Sequence, residues 1–295
     1  MHVPREVSVK ELYQELRPLM FSIAYRMLGS GSEAEDILQE AFLRYQNMPR
    51  GKVVSPKAFL STIVTRLCLN RLESAQSQRE TYIGPWLPEP ILTDETTIDA
   101  IRQTELHESL SMAFLVLLEQ LTPLERAVFL LRQVFDYEYA EIAEMIGNDE
   151  AACRQLFSRA KKHIAEHRPR FKANPEKQRE MLEQFVAAVS QGEMNGLLAL
   201  LSNDVTLWAD GGGKVRGAAL HPLHGRDAVA RFVIASPYLT TGLLEPRIVS
   251  VNEEPSLLLR VDGQTRFVVM LSVDENHIQE IRIIGNPDKL TGVNE

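Results

Sequence analysis

The side chains of this sequence with the clearest chemical potential lie between residues 154 and 172. That stretch holds seven lysines or arginines and one acid, Glu166, although the whole chain has a net charge of −8. A basic segment in an acidic chain is typical of a surface that binds nucleic-acid phosphates. The candidate DNA-contacting side chains are Arg154, Gln155, Ser158, Arg159, Lys161 and Lys162. The alternative is a solvated helix whose lysines only confer solubility.

Two helices joined by a glycine turn are predicted to position these side chains. The first is marked by apolar residues at helical spacing, Tyr139, Ile142, Ala143 and Ile146. Gly147 then ends that helix, because glycine enters the left-handed region at little cost. Asn148 and Asp149 offer N-cap side chains for the second, basic helix. This order is the helix-turn-helix arrangement that reads the major groove of DNA.

Composition limits the class of protein. With 295 residues, 44% of them hydrophobic and 24% charged, the chain is long enough for two or three globular domains. No apolar run is long enough to span a membrane, and the N-terminus lacks a signal-peptide core. We therefore expect a cytoplasmic protein with no membrane partner. Cys68 and Cys153 each lie on an apolar helical face, which favours buried thiols over a disulfide or a zinc site.

Three amphipathic helices are predicted in residues 8–75, forming an all-helical domain. A capping box from Ser32 to Glu35 opens the second helix, and Ser55 caps the third. The polar outer face of the second helix comprises Asp36, Gln39, Glu40 and Arg44. The side chains of the third helix expected to face solvent are Thr62, Thr65, Arg66, Asn70 and Arg71.

Residues 76–105 are predicted to be a linker, because prolines and Gly84 interrupt the helical period. The linker nevertheless contains large apolar side chains, Tyr82, Ile83, Trp86 and Leu87. A solvated tether does not need such side chains, so we expect the linker to pack on another part of the chain.

The rest of the chain divides into two predicted domains. Residues 106–170 contain about four helices, including one opened by a capping box from Thr122 to Glu125 and the helix-turn-helix. Residues 174–292 begin with helices and continue as long strands, which predicts an α+β domain with a curved antiparallel sheet. Asp262-Gly263 predicts a hairpin within that sheet.

Together these parts resemble a bacterial extracytoplasmic-function (ECF) sigma factor. The segments GSEAEDILQEAFLRY and SPKAFLSTIVTRLCLNRL resemble the core-polymerase-binding helix and the −10-element helix of sigma region 2. LTPLERAVFLL, YAEIAEMIG and the basic helix resemble region 4, which reads the −35 element. The resemblance implies a transcription initiation factor, not an enzyme, and no cofactor. Its implied partners are promoter DNA and core RNA polymerase, through the β′ clamp helices and the β subunit.

The resemblance also assigns roles to the exposed side chains. Asp36, Gln39, Glu40 and Arg44 map onto the polymerase-binding surface, where the alternative is an ordinary solvated helix face. Thr62, Arg66, Asn70 and Arg71 map onto the surface that holds the −10 element. Arg66 and Asn70 lie one turn apart and could contact single-stranded DNA.

The C-terminal domain resembles the SnoaL-like fold, and three motifs resemble the ECF branch that carries it. They are YIGPWLPEP in the linker, DGGGK at 210–214 and NPDKL at 286–290. The resemblance implies that these motifs make regulatory contacts that control the sigma factor from within. The implied contact residues are Tyr82, Trp86, Leu87, Asp210, Gly211, Gly212, Gly213, Lys214, Asn286, Pro287, Asp288, Lys289 and Leu290.

An enzyme or a ligand sensor fused to a DNA-binding regulator is the competing hypothesis, since SnoaL-like folds include isomerases and hydrolases. Asp210, His221 and His224 are the polar candidates, and Trp208 could line a cone-shaped cavity. The glycines after Asp210 indicate a flexible turn more than a rigid catalytic site. The two histidines lack a nearby acidic ligand, so no metal site is expected. A small molecule of unknown identity in this domain is favoured over catalysis.

Overall fold

The computed structural model describes residues 9–49, 53–79, 81–93, 110–167, 174–236 and 245–294. The chain divides into two compact units. Their described parts are residues 9–49, 53–77 and 117–167 in the first unit, and residues 78–79, 81–93, 110–116, 174–236 and 245–294 in the second. Among the described residues, no helix has the length and apolar character needed to cross a membrane.

The first unit begins with three helices, α1 (Val9–Leu28), α2 (Gly31–Gln46) and α3 (Pro56–Arg79). The predicted cap of α3 is confirmed, since the Ala58 amide donates to Ser55 Oγ at 3.3 Å. The predicted cap of α2 is wrong. Gly29, at φ 68°, ends α1 so close to α2 that Ser30 becomes the N-cap and accepts from the Glu33 amide.

One expectation about α3 is also wrong. Thr65 is completely buried, although its position was expected to face solvent. Ser61 lies one turn earlier on the same face of α3 and hydrogen-bonds to Tyr137. The second half of the unit therefore covers this face, which amphipathic spacing within α3 alone does not reveal.

The chain then forms α4 (Met112–Glu119), α5 (Pro123–Phe129), a π-helical turn (Leu130–Val134), α6 (Tyr139–Ile146) and α7 (Glu150–His167). The capping box between Thr122 and Glu125 is confirmed. Gly147 ends α6 at φ 72°, and Asp149 Oδ1 accepts from the Ala152 amide at 2.7 Å at the start of α7. The predicted helix-turn-helix is therefore present. The expected start of α4, near Leu106, lies outside the described residues.

The second unit contains α8 (Pro175–Ser190), α9 (Met194–Leu200), β1 (Leu201–Asp210), β2 (Leu223–His224), α10 (Arg226–Ala235), β3 (Glu245–Val251), β4 (Glu254–Val261), β5 (Gln264–Val273) and β6 (Ile278–Ile284). Short 3-10 turns follow at Pro287–Lys289 and Thr291–Val293. The α+β class and the Asp262-Gly263 hairpin are confirmed, with both turn residues at positive φ.

The sheet order is β2-β1-β6-β5-β4-β3. The expectation of an antiparallel sheet is wrong for one strand pair, because β1 and β6 run parallel with Trp208 opposite Arg282. The meander from β3 to β6 returns its last strand beside β1 in the same direction. The sheet is therefore mixed.

The two faces of the sheet have different coverings. The inner face packs against α8, α9 and α10 through side chains such as Phe185, Val229 and Leu207. The outer face contributes Val268 and Met270 to a second cluster that includes Leu87, Met112 and Leu290. The linker therefore covers the outer face, as its apolar composition predicted.

Trp208 and Ile83 do not lie where the sequence analysis predicted. Trp208 packs with the outer cluster, so its predicted place in the cone-shaped cavity is wrong. Alternate residues of a strand face opposite sides, and Leu207 and Ala209 occupy the inner core instead. Ile83 remains 57% exposed, so the linker buries only some of its large apolar side chains.

Candidate functional site

The basic face of α7 is available for contact with a partner. All six predicted DNA-contacting side chains, Arg154, Gln155, Ser158, Arg159, Lys161 and Lys162, are exposed. Arg154 forms an ion pair with Glu150 at 2.7 Å, and its guanidinium lies 5.0 Å from the centroid of the Tyr139 ring. Lys162 is farther along the helix and 78% exposed. The first turns of α7 thus carry a planar guanidinium paired with Glu150, whereas Lys162, 3.9 Å from Glu166, presents a point charge farther along the helix.

The exposed face of α2 carries the predicted polymerase-contacting residues. Asp36, Gln39, Glu40 and Arg44 are all exposed, and Arg44 pairs with Glu40 at 2.5 Å. The sequence analysis missed Leu43, which is 58% exposed on the same face. This leucine adds an apolar group to an otherwise charged face. Its signal in the sequence was an apolar residue on the polar face of α2.

Arg66 does not extend freely from α3. Its Nε and Nη2 atoms donate at 2.8 Å to the carbonyl oxygens of Met145 and Glu144. These carbonyls lie in the last turn of α6, where the helix dipole favours a cation. The other predicted −10 residues are Thr62, which donates to the Ala58 carbonyl, and the exposed Asn70 and Arg71. Arg71 forms an ion pair with Glu33 at 2.9 Å.

Two further polar contacts join the N-terminal helices to the helix-turn-helix half of the first unit. Ser61 Oγ and the Tyr137 hydroxyl lie 2.7 Å apart in a buried position. Arg126, only 2% exposed, donates to the Met27 carbonyl at 2.7 Å and pairs with Glu119. Burial raises the pKa of the Tyr137 phenol, which therefore stays protonated. The two halves of the first unit are thus linked by buried hydrogen bonds that the sequence analysis did not foresee.

Asp210 is the centre of the predicted regulatory contacts in the second unit. Its carboxylate is 1% exposed and accepts from the Tyr82 hydroxyl at 2.5 Å and the Leu87 amide at 2.9 Å. Lys289 Nζ lies 2.7 Å from the same carboxylate and donates to the Leu87 carbonyl at 2.5 Å. The motifs in the linker, after β1 and after β6 therefore meet at one buried ion pair. We call Tyr82, Leu87, Asp210, Asn286 and Lys289 the Asp210 node.

Aromatic rings enclose the cation of this node. Lys289 Nζ lies 4.1 Å from the Trp86 ring centroid and 5.0 Å from that of Tyr82. Such cation–π contacts are strongest where the cation is shielded from water. Asn286 Nδ2 donates to the Tyr82 hydroxyl at 2.9 Å. Burial raises the pKa of the Tyr82 phenol, and its hydrogen bond to Asp210 raises it further, so this group remains a donor.

The glycine turn after Asp210 is closely packed, so the expectation of a flexible turn is wrong. Gly212 and Gly213 have φ values of 56° and 72°. A Cβ atom on Gly212 would lie 2.4 Å from Asn286 Nδ2, and one on Gly213 would lie 3.0 Å from Ile83 Cδ1. Lys214 completes the motif through an exposed ion pair with Asp288. Glycine is required here for close approach of the linker and the NPDKL segment.

The sequence analysis also missed a second attachment of the linker, at the β3–β4 turn. Asn252 Oδ1 accepts from the Ile91 amide at 3.2 Å, and Asn252 Nδ2 donates to the Leu110 carbonyl at 3.1 Å. Leu92 forms a β-bridge with Val251. Asn252 therefore holds the chain on both sides of residues 94–109. The signal in the sequence was the pair Asn252-Glu253 between two apolar runs, and both residues take positive φ in the tight turn.

Glu254 extends this second attachment to the start of α4. Its carboxylate accepts from the Met112 amide at 3.3 Å. Burial raises the pKa of the Glu254 carboxyl to about 7, against the opposing effects of Arg282 and the Met112 amide. Glu253 and Glu280 add to the rise. We call Asn252 and Glu254 the hairpin clasp.

The candidate catalytic residues do not form a catalytic group. The Asp210 carboxylate is occupied by Lys289 and the linker, so it is not a free general base. His221 and His224 are exposed, and His224 Nδ1 lies 3.2 Å from Thr206 Oγ1. The cavity on the inner face of the sheet measures about 40 Å³ and is mainly apolar. No group of potential metal ligands is found among the residues that the structure describes.

Comparison with known proteins agrees with this architecture. Residues 12–78 match the family model Sigma-70 region 2, and residues 111–164 match Sigma-70, region 4. ECF RNA polymerase sigma factor SigJ of Mycobacterium tuberculosis is 35% identical over 290 residues, 95% of this chain and 92% of that protein. The crystal structure of that organism's SigJ has a TM-score of 0.76 at 33% identity, covering 97% and 99% of the two chains. SigG of the same organism is 31% identical over 210 residues, 62% of this chain and 56% of that protein.

Proposed function

Because the chain belongs to the ECF RNA polymerase sigma factors, we propose that it brings core RNA polymerase to promoters under the control of its own SnoaL-like unit. The proposed place of action is the cytoplasm. Region 2 would bind the β′ clamp helices through Asp36, Gln39, Glu40 and Arg44, and region 4 would contact the β subunit. The basic face of α7 would read the −35 element, and the exposed side chains of α3 would hold the −10 element.

The observation that carries the regulatory proposal is the Asp210 node. The connector between regions 2 and 4 runs from the end of α3 to the start of α4. The node holds it at Tyr82 and Leu87, and the hairpin clasp holds it again at Ile91 and Leu110. Because the connector is attached to one sheet near both of its ends, only a few residues link each promoter-reading region to the attached segment. The attachment therefore restricts how far regions 2 and 4 can separate.

The contacts inside the first unit support the same proposal. Arg66 is a proposed −10 contact, yet its guanidinium is bonded to the end of α6. Arg66 cannot make both sets of hydrogen bonds at once. The compact state is therefore inhibitory, and polymerase selects an open state that is a minor population in its absence.

Run-off transcription with core polymerase tests the proposal. Deleting residues 286–290 should raise promoter-specific transcription, and Trp86→Ala, which leaves the buried NPDKL segment in the chain, should do the same. Removing residues 174–295 should raise it too, unless the domain also helps to bind polymerase. If neither the short deletion nor Trp86→Ala changes transcription, intramolecular inhibition through these contacts is not the mechanism.

The competing function is an enzyme fused to a DNA-binding regulator. Region 2 argues against it, since a regulator of that kind needs no polymerase-binding domain. The occupied Asp210 carboxylate argues against it as well. Comigration of the purified chain with core polymerase separates the two functions directly.

A further inference from the structure

A pocket of about 350 Å³ lies in the second unit, where the linker crosses the outer face of the sheet. Linker residues 84–87, Val116 of α4 and residues 220–222 line it, together with Trp208 and Arg282. The volume corresponds to roughly a dozen water molecules. It lies within the usual range for small-molecule sites. This pocket is on the opposite side of the sheet from the small inner cavity.

The lining of the pocket is mostly apolar and aromatic. It includes the indole rings of Trp86 and Trp208, flanked by Leu87 and Val116. Among the described lining residues, Arg282 alone carries a full positive charge, and exposed His221 adds a polar group. An apolar pocket with one cation suits an organic ligand that has one negative group, and it disfavours an all-polar anion such as free phosphate.

Arg282 is held in place by neighbouring side chains of the sheet. The residue is 5% exposed, its Nη1 donates to Ser272 at 2.9 Å, and its Nη2 pairs with Glu280 at 2.5 Å. Its guanidinium carbon lies 5.2 Å from the Trp208 ring centroid. Its Nε has no hydrogen-bond partner among the described residues. Because Nε is itself shielded from solvent, a ligand in the pocket would act on Arg282 through the charge of its guanidinium group.

We propose that this pocket binds a small planar organic carboxylate, with its ring against the Trp86 and Trp208 indoles and its carboxylate beside Arg282. Arginine is well suited to a planar carboxylate, because the two groups match in shape and hydrogen-bonding pattern. Indole faces favour a flat, weakly polar ring.

The pocket couples ligand binding to the position of the linker, an argument that rests on the proposed function. Its lining comes from both the linker and the sheet, so the site is complete only while the linker is docked. A ligand that binds only the docked state stabilises that state. Trp86 also stacks on Lys289 of the Asp210 node, so the ligand and the node hold the same side chain. The carboxylate is therefore a co-inhibitor of transcription.

Tryptophan fluorescence gives a direct test of binding, because Trp86 and Trp208 are the only tryptophans in the chain. Sodium benzoate is titrated into the full chain, with benzamide as the neutral analogue and sodium chloride to match ionic strength. Benzoate should change the emission with saturation, and benzamide should bind at least about fivefold more weakly. Leu220→Asp places a negative charge at the 57% exposed rim and should weaken benzoate binding about fivefold. Val54→Asp, at a 99% exposed site in the first unit, should leave it unchanged.

The outcomes separate the site from its coupling. No saturable benzoate signal up to roughly 10 mM, or equal binding of benzamide, overturns the carboxylate site, since even a dissociation constant of about 1 mM would show by then. If benzoate binds, run-off transcription by the full chain should fall as benzoate is added, and the chain lacking residues 286–290 should not respond. Binding without any fall overturns the coupling. The proposed function fails separately, if that deletion does not raise transcription without benzoate.

Discussion

Arg66 on α3 donates from Nε to the carbonyl oxygen of Met145 at 2.8 Å, across the two halves of the first unit. Its Nη2 bonds to the preceding carbonyl, of Glu144. The same side chain is our candidate for holding the −10 element. In the proposed function, the end of α6 and promoter DNA would compete for the same guanidinium, so closure of the unit and DNA binding would be alternatives for Arg66.

Tyr137→Phe should favour the open state without touching a proposed DNA contact. The substitution leaves the buried Ser61 hydroxyl without its 2.7 Å partner, which costs about 1 kcal/mol. If that cost falls on the closed state, run-off transcription should rise about fivefold. Tyr13→Phe, on α1, is the matched control and should leave transcription unchanged. A fall in transcription with Tyr137→Phe would mean that the contact belongs to the active state.

Asp210→Asn should release the linker. It leaves the 8% exposed Lys289 side chain without its charge partner, and breaking a buried ion pair costs roughly 3–5 kcal/mol. We expect Trp86 emission to shift to the red and proteolysis of the linker to accelerate. Lys214→Met is the control, since the Lys214–Asp288 pair is exposed and contributes little. Equal effects of the two substitutions would remove the Asp210 node as the main attachment.

Stability of the second unit should fall as pH rises, because of Glu254. Its pKa is about 7 in the folded chain and 4.5 ordinarily. Between these values the folded state binds the extra proton, so the free energy of unfolding decreases with pH. The stabilisation is complete below about 4.5 and lost above about 7, a change of at most roughly 3 kcal/mol.

Glu254→Gln should flatten this dependence and raise stability at about pH 8. Urea unfolding followed by tryptophan emission, at about pH 5 and about pH 8, measures it. Glu245→Gln on the exposed end of β3 is the control and should behave like the parent chain. If the free energy of unfolding of Glu254→Gln depends on pH as strongly as that of the parent chain, a group other than Glu254 causes the dependence.

Within region 4, Arg154 and Lys162 should contribute differently to DNA binding. Arg154→Ala should cost about 1–3 kcal/mol and relax specificity at one −35 position, whereas Lys162→Ala should weaken binding evenly across sequences. Binding to a set of −35 variants at fixed salt measures both effects. Equal losses of affinity on every sequence for both variants would contradict this division of roles.

On α2, charge reversal should abolish polymerase binding without unfolding the chain. Asp36 and Glu40 lie one turn apart and are exposed, so Asp36→Lys with Glu40→Lys should leave the fold intact. A pull-down with core polymerase at physiological salt should show no binding. Circular dichroism should match the parent chain. Unchanged binding would remove these residues from the interface.

Leu43→Ala tests the same surface from its apolar side. The side chain is 58% exposed, so its removal should not destabilise the fold. If the face is a contact surface, polymerase affinity should fall, since buried apolar groups contribute about 1.5–3 kcal/mol each. A polymerase affinity equal to that of the parent chain would limit the interface to the charged residues.

Local chemistry along the chain was enough to predict the helix-turn-helix and most strands. Helix caps depend on bonds between residues only a few positions apart, so they can be recognised from the sequence. Examples are Gly147, Asp149 and the Thr122–Glu125 capping box. Burial of the linker could also be predicted, because large apolar side chains are unfavourable in water wherever they finally pack. The motif resemblance named the segments that meet at Asp210.

Tertiary structure alone decided which residues form contacts between distant parts of the chain. Arg66 was predicted to face DNA, and only the fold brings the carbonyl of Met145, 79 positions away, within 2.8 Å. Trp208 lies on the outer face because the register of β1 gives the inner face to Leu207 and Ala209. Asn252 holds two distant segments through one side chain. The sequence by itself determined local elements, the family and the need for burial, whereas long-range hydrogen bonds depend on how those elements pack, which no short-range pattern encodes.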